Sequence, residues 1–141
     1  MVRSKRGPSS QVSSQYRSSE RSNNTRARAP GKGKRMHLNH DPAQFEEQQA
    51  IFARALVQSI RVKLQEAGLN SNTLDDATAS IAFSVASVID DTSAIEVDGI
   101  EVHPYLAFRT SDEELTHCGE NSYVHEFVYE ALQKMAEKGA G

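Results

Sequence analysis

The first 36 positions contain almost nothing that can enter a core. Their only apolar members are Met1, Val2, Val12, Tyr16, Ala27, Ala29 and Met36, set among eight serines. Such a segment cannot offset the entropy of ordering it, so residues 1–36 are expected to be disordered. Any fold must then come from residues 37–141, long enough for one domain with a modest core. The overall apolar share of 38% falls below the ~45–50% of globular chains, and the deficit lies in this tail.

Charge divides at the same place. Residues 1–36 carry Arg3, Lys5, Arg6, Arg17, Arg21, Arg26, Arg28, Lys32, Lys34 and Arg35 against Glu20, so 10 − 1 = +9. The other six bases and eighteen acids give 6 − 18 = −12 for residues 37–141. A net charge of −3 conceals both values. Segregation on this scale implies that the two parts meet different partners, or each other.

Cys118 is the single cysteine, which excludes an internal disulfide and fits a reducing compartment. No apolar run approaches the ~18 residues of a membrane span, and no secretory apolar segment follows Met1. A soluble, cytoplasmic protein is expected. An Arg-rich, Ser-rich, acid-poor leader also has the composition of an organellar transit peptide, but Pro8, Pro30, Gly31 and Gly33 oppose the amphipathic helix such a peptide needs.

Past the basic hinge 29–35 and a boundary near Met36–Asn39, local signals set the elements. Asp41, Pro42 and Gln44 form a helix start, and Phe45, Phe52, Leu56, Ile60, Leu64 and Ala67 recur on one helical face. Ile51, Ala55 and Val62 widen that face, and Gly68–Leu69 is a stop signal. A second helix is expected from Thr73 to Asp90–Asp91–Thr92, with Leu74, Ala77, Ile81, Val85 and Val88 as its stripe. The two should form an antiparallel hairpin; the long first stripe also suits a dimer seam.

The period then changes to two. Residues 94–97, the turn Asp98–Gly99 and residues 100–102 predict a hairpin with a primed turn, its second strand running on to Phe108 through a bend at Pro104. A third strand is expected at Glu114–Cys118, and a last helix capped by Asn121–Ser122 carries Val124, Val128, Ala131 and Met135. The expected fold is α+β in the order α-α-β-β-β-α, with the helices on one face of a small three-stranded antiparallel sheet.

No catalytic or cofactor motif stands out. The tail cations suit phosphate, because counterion release needs neither a fold nor a particular sequence. A tail that merely solubilises, or folds back on the acidic domain, is the alternative. On the sheet, the expected register puts Glu96 opposite Glu101, continues that face through His103 and Tyr105, and, with Leu115 opposite Phe108, brings Cys118 beside Tyr105. Such an acidic face suits a basic partner. His117, Cys118 and His125 raise a metal site or a thiol nucleophile near a helix start, but C-x-x-C and H-E-x-x-H spacings are absent from the sequence.

From the second helix onward the expected order α-β-β-β-α resembles the double-stranded RNA-binding domain in element order alone. In that family the second helix opens with a lysine cluster that meets phosphate; the matching segment here, Asn121–Glu126, has no lysine. The resemblance therefore transfers no function.

The sequence thus points to a small non-enzymatic binding protein. A basic arm engages nucleic acid or another polyanion, and an acidic domain contacts a protein partner or a second copy. An acidic inhibitor or antitoxin-like module is the alternative, and a metalloprotein or thiol enzyme using His103, His117, Cys118 and His125 is a third class. No cofactor, metal or membrane partner is called for.

Overall fold

Asp41 and Pro42 open the first helix as their chemistry requires. In the computed structural model, which describes Gly33 and residues 35–139, the Asp41 carboxylate accepts the Gln44 N–H at 3.0 Å and Pro42 begins α1 (Pro42–Glu66). Its far end closes on Gly68 at φ +87°: the Gly68 N–H donates to Gln65 O and the Leu69 N–H to Leu64 O, at 2.9 and 3.1 Å. This pair of bonds satisfies carbonyls that a helix end leaves open.

The second helix, α2 (Ser71–Ile89), begins two residues earlier than Thr73. Asn70 takes the cap: its side-chain oxygen accepts from the Thr73 N–H at 3.3 Å and the Thr73 hydroxyl at 2.9 Å. Asparagine is among the strongest caps, and α1 has already ended, so the chain turns back at once. The third helix, α3 (Val124–Gly139), starts just after Asn121–Ser122, but neither side chain caps it as expected: the Tyr123, Val124 and His125 N–H groups donate to Gln49 and Asp90.

The core lies where the three helices meet. It is built from Ala53, Val57, Ala82, Ala86, Val124, Val128 and Ala131. The α3 stripe is the expected one, with Met135 packed on the cluster. On α2 the buried face is instead Leu74, Thr78, Ala82 and Ala86, which leaves Ile81 40% and Val88 44% exposed. Side-chain size explains the shift. Alanines let α2 approach α1 and α3 closely, whereas the larger residues of the expected stripe would hold it away. Thr78 fits because its hydroxyl donates to Leu74 O at 2.6 Å. On α1 the buried line is Phe45, Gln49, Ala53 and Val57, and Ile51, Ala55 and Val62 lie at the surface.

The strands form two sheets rather than one meander. β2 (Glu96–Val97) and β3 (Ile100–Glu101) make a separate antiparallel hairpin whose turn residues Asp98 and Gly99 both have positive φ, 54° and 78°. Both turn and register, Glu96 opposite Glu101, are as expected. Opposite each other on this hairpin, Val97 and Ile100 are 68% and 69% exposed, so neither belongs to the core. The strand does not run on to Phe108, because the chain leaves the ladder around Pro104, which has no N–H to give.

The other sheet has the order β1–β5–β4 and is mixed. β4 (Phe108–Ser111) and β5 (Glu114–His117) are antiparallel, while β1 (His37–His40), in the expected boundary region, joins β5 in parallel. An irregularity between Arg109 and Ser111 sets Thr116 opposite Phe108 and Leu115 opposite Arg109. Because Ser111 already faces Glu114 across a two-residue turn, the ladder leaves the expected register before the irregularity, which recovers one residue of the slip. The ladder then ends at Phe108, so Cys118 gains no strand position opposite Tyr105. Phe45 and Phe52 of α1 pack against Phe108 in tilted and edge-on contacts, ring centroids 5.2 and 5.9 Å apart, so the sheet hangs on α1 rather than beneath all three helices. With β1 added and the strands split between two sheets, the likeness to the double-stranded RNA-binding order is lost.

The buried alanine face makes a direct test. Ala86→Leu should destabilise the protein by about 1–3 kcal/mol through overpacking, and Val88→Ala should shift stability by only about 0.5 kcal/mol. Urea midpoints in the reverse order would place the other face of α2 in the core.

Candidate functional site

Asp90 ends α2 fully buried, and its carboxylate is filled by donors from the start of α3. One oxygen accepts from the Ser122 hydroxyl at 2.6 Å and the Val124 N–H at 2.8 Å. The other accepts from the His125 N–H at 2.9 Å and the His125 Nδ1–H at 2.8 Å. The preceding amide, Tyr123 N–H, donates to Gln49 Oε1 on α1 at 2.7 Å. The amides that open α3 are therefore capped by residues on the other two helices, not by its own leading sequence. Burial, and then the nearby acids, push the Tyr123 phenol above its ordinary range.

Asp90, Ser122 and His125 contain the side chains of a hydrolytic triad without its wiring. The Ser122 hydroxyl donates to Asp90 and not to the imidazole, and Ser122 is buried. Nucleophilic activation needs serine against the base and the base against the acid. What the geometry provides is a fixed tautomer: His125 Nδ1 carries the proton to Asp90 and Nε2 is left as the ring's acceptor.

A second cluster lies at the sheet ends. His40 Nε2 donates to Cys118 O at 2.9 Å, and the His40 and His117 rings meet edge-on at 5.5 Å. His117 Nδ1 accepts the Gly119 N–H at 3.2 Å and is 2.7 Å from the Tyr105 hydroxyl. An amide can only donate, so the neutral His117 ring carries its proton on Nε2. Gly119 has φ +86°, and a Cβ there would lie 2.9 Å from His40 Nε2. Cys118 Sγ is directed at Glu120 O, 3.2 Å away. His117 and His125 are engaged elsewhere, so neither is bonded to the thiol.

The expected surface is thus divided in two. Glu96, Glu101 and His103 stay together on the hairpin, where His103 Nδ1 is 3.0 Å from Asp91 Oδ2 and Nε2 is 3.6 Å from Glu101 Oε2. Tyr105 and Cys118 belong to the sheet-end cluster. Among the described residues no group of three or more His, Cys, Asp or Glu side chains is placed to hold a metal ion. The tail cations Arg3, Lys5, Arg6, Arg17, Arg21, Arg26, Arg28, Lys32 and Lys34 lie outside the described residues; Arg35 is exposed.

Sequence reasoning missed Asp90, Gln49, His40 and Asp91. Asp90–Asp91 reads as a helix stop, and its long-range role leaves no local trace. Gln49 does leave one: a polar residue in register with Phe45, Ala53 and Val57 is a candidate for a buried polar contact.

Asp90→Ala should cost about 3–5 kcal/mol, since it leaves the first amides of α3 buried without an acceptor. His125→Ala should cost less, because the Val124 and His125 N–H bonds remain. Denaturant melts of the two variants check this; equal small losses would mean that Asp90 does not hold α3.

No described helix is long and apolar enough to cross a membrane. Comparison with known protein families, known proteins and solved structures returns no match for this chain.

Proposed function

We propose that this is a binding protein of two parts: a basic arm, residues 1–36, that engages nucleic acid or another polyanion, and an acidic α+β domain that contacts a protein partner. The charge division of +9 against −12 carries the proposal. Ten cations spread through Ser, Gly and Asn suit phosphate neutralisation, and Tyr16 as the lone aromatic gives little base stacking. In this reading the arm provides affinity without sequence preference, and serine phosphorylation would offset its positive charge.

The domain side of the proposal draws support from how its polar groups are used. Asp90, Ser122, His125, His117 and Cys118 are each engaged in bonds that hold helix or sheet ends. By contrast, Val97, Ile100 and Val102 stand exposed on a hairpin rimmed by Glu96, Asp98 and Glu101. An isolated two-stranded ribbon with such side chains in water is marginal by itself and gains from a cover. An acidic rim favours a basic one, as the inhibitor-like alternative also requires.

Binding to duplex DNA and to RNA should weaken steeply with salt, with log K against log salt falling at about −0.9 per phosphate contact on duplex DNA. Removing residues 1–35 should abolish it while leaving helical circular dichroism and melting intact. Undiminished binding by the shortened chain would sink the arm's role.

A further inference from the structure

The domain is acidic overall, yet its few cations are gathered. Four of the six bases in residues 37–141, Arg54, Arg61, Lys134 and Lys138, border one groove of about 480 Å³ between α1 and the C-terminal half of α3. Val62, Ala131 and Met135 supply its apolar lining. The α1 wall runs from Arg54 to Gln65, three helical turns or roughly 16 Å. Arg61 is held by Asp75 of α2, and Lys134 is 3.9 Å from Glu130. Among the described residues, Arg54 and Lys138 have no ion-pair or hydrogen-bond partner, and Glu137 is the one acid on the rim.

We infer that this groove docks an acidic amphipathic helix of a partner protein, an inference that rests on the domain being the protein-binding part. Three features select that occupant. The cations are strung along both walls instead of converging on a point, so they match several negative charges on one extended ligand and not a single anionic head. The lining is aliphatic and thioether, without an aromatic ring, which accommodates Leu-like anchors and offers nucleobases nothing to stack on. The length fits three turns of helix lying in the groove, with apolar residues at i, i+3/i+4 and i+7 facing down and Asp or Glu along the flanks. The basic arm is excluded by like charge. Asp75 and Glu130 offset Arg61 and Lys134, so contact is governed by Arg54 and Lys138, which no acid among the described residues pairs with.

The test is methyl and amide NMR on the full-length protein. The probe is a designed peptide of about four helical turns with a Leu stripe flanked by Glu, and a composition-matched scramble is the control. The Val62 and Met135 methyl signals should shift saturably with the peptide and not with its scramble. The R54E/K138E double variant, exposed at both positions, should weaken binding by roughly tenfold or more. Any of several results overturns the groove: shifts confined to residues 1–36, indifference to charge reversal, or no methyl shift at millimolar peptide. Response of the same methyls to dodecanoate or an oligonucleotide alone, or concentration-dependent shifts without any peptide, would also do so by assigning the groove to another occupant. Saturable shifts on the β2–β3 hairpin instead would reject the groove while leaving the domain's protein contact standing.

Discussion

The carboxylate of Asp90 ties the end of α2 to the start of α3, and the packing of the domain depends on that bond set. Its cost is the removal of a charge from water. Four donors on Ser122, Val124 and His125 offset it, helped by the positive end of the α3 dipole. Gln49 completes the clamp from α1 by accepting the Tyr123 N–H. With all three helices meeting at one point, the orientation of α3 is fixed even though the hydrophobic cluster itself is largely alanine and valine. Larger side chains such as Phe52, Phe83, Phe127 and Leu132 pack around this small-residue centre, and the polar clamp adds direction to their non-directional packing.

The same economy shapes the surface. Because α2 turns its alanines inward, its larger apolar residues Ile81 and Val88 face outward. The α1–α3 pair likewise leaves Val62 at the floor of a groove instead of in the core. The charge pattern then differentiates the surfaces: acids on the hairpin, cations along the groove, and an arm of opposite sign before the domain. On the proposed reading, this charge pattern serves two unlike partners, a polyanion for the arm and a protein for the domain.

Much of the fold could be read from local chemistry. Asp41–Pro42, Gly68–Leu69 and Asp98–Gly99 act through bonds within a few residues, and each does what its sequence implies. Misreadings begin where the deciding contact is distant. The α2 face follows from alanine packing against α1 and α3. The α3 start follows from Asp90 and Gln49. Residues His37–His40 carry no apolar alternation, yet they form a parallel strand because β5 offers an open edge. The candidate surface suffered in the same way: Glu96, Glu101 and His103 are linked by a tight turn and stay together, whereas the Tyr105–Cys118 pairing needed a longer turn than Asp112–Glu113 and a strand that reaches back beyond Phe108.

The division of labour between arm and domain is tested most directly by residue-resolved amide NMR of the intact protein during titration with duplex DNA at low salt. The account predicts saturable shifts in residues 1–36 and none at Val124, His125 or the groove residues Arg54 and Lys138. Shifts centred on the folded domain, with the arm unmoved, would contradict it.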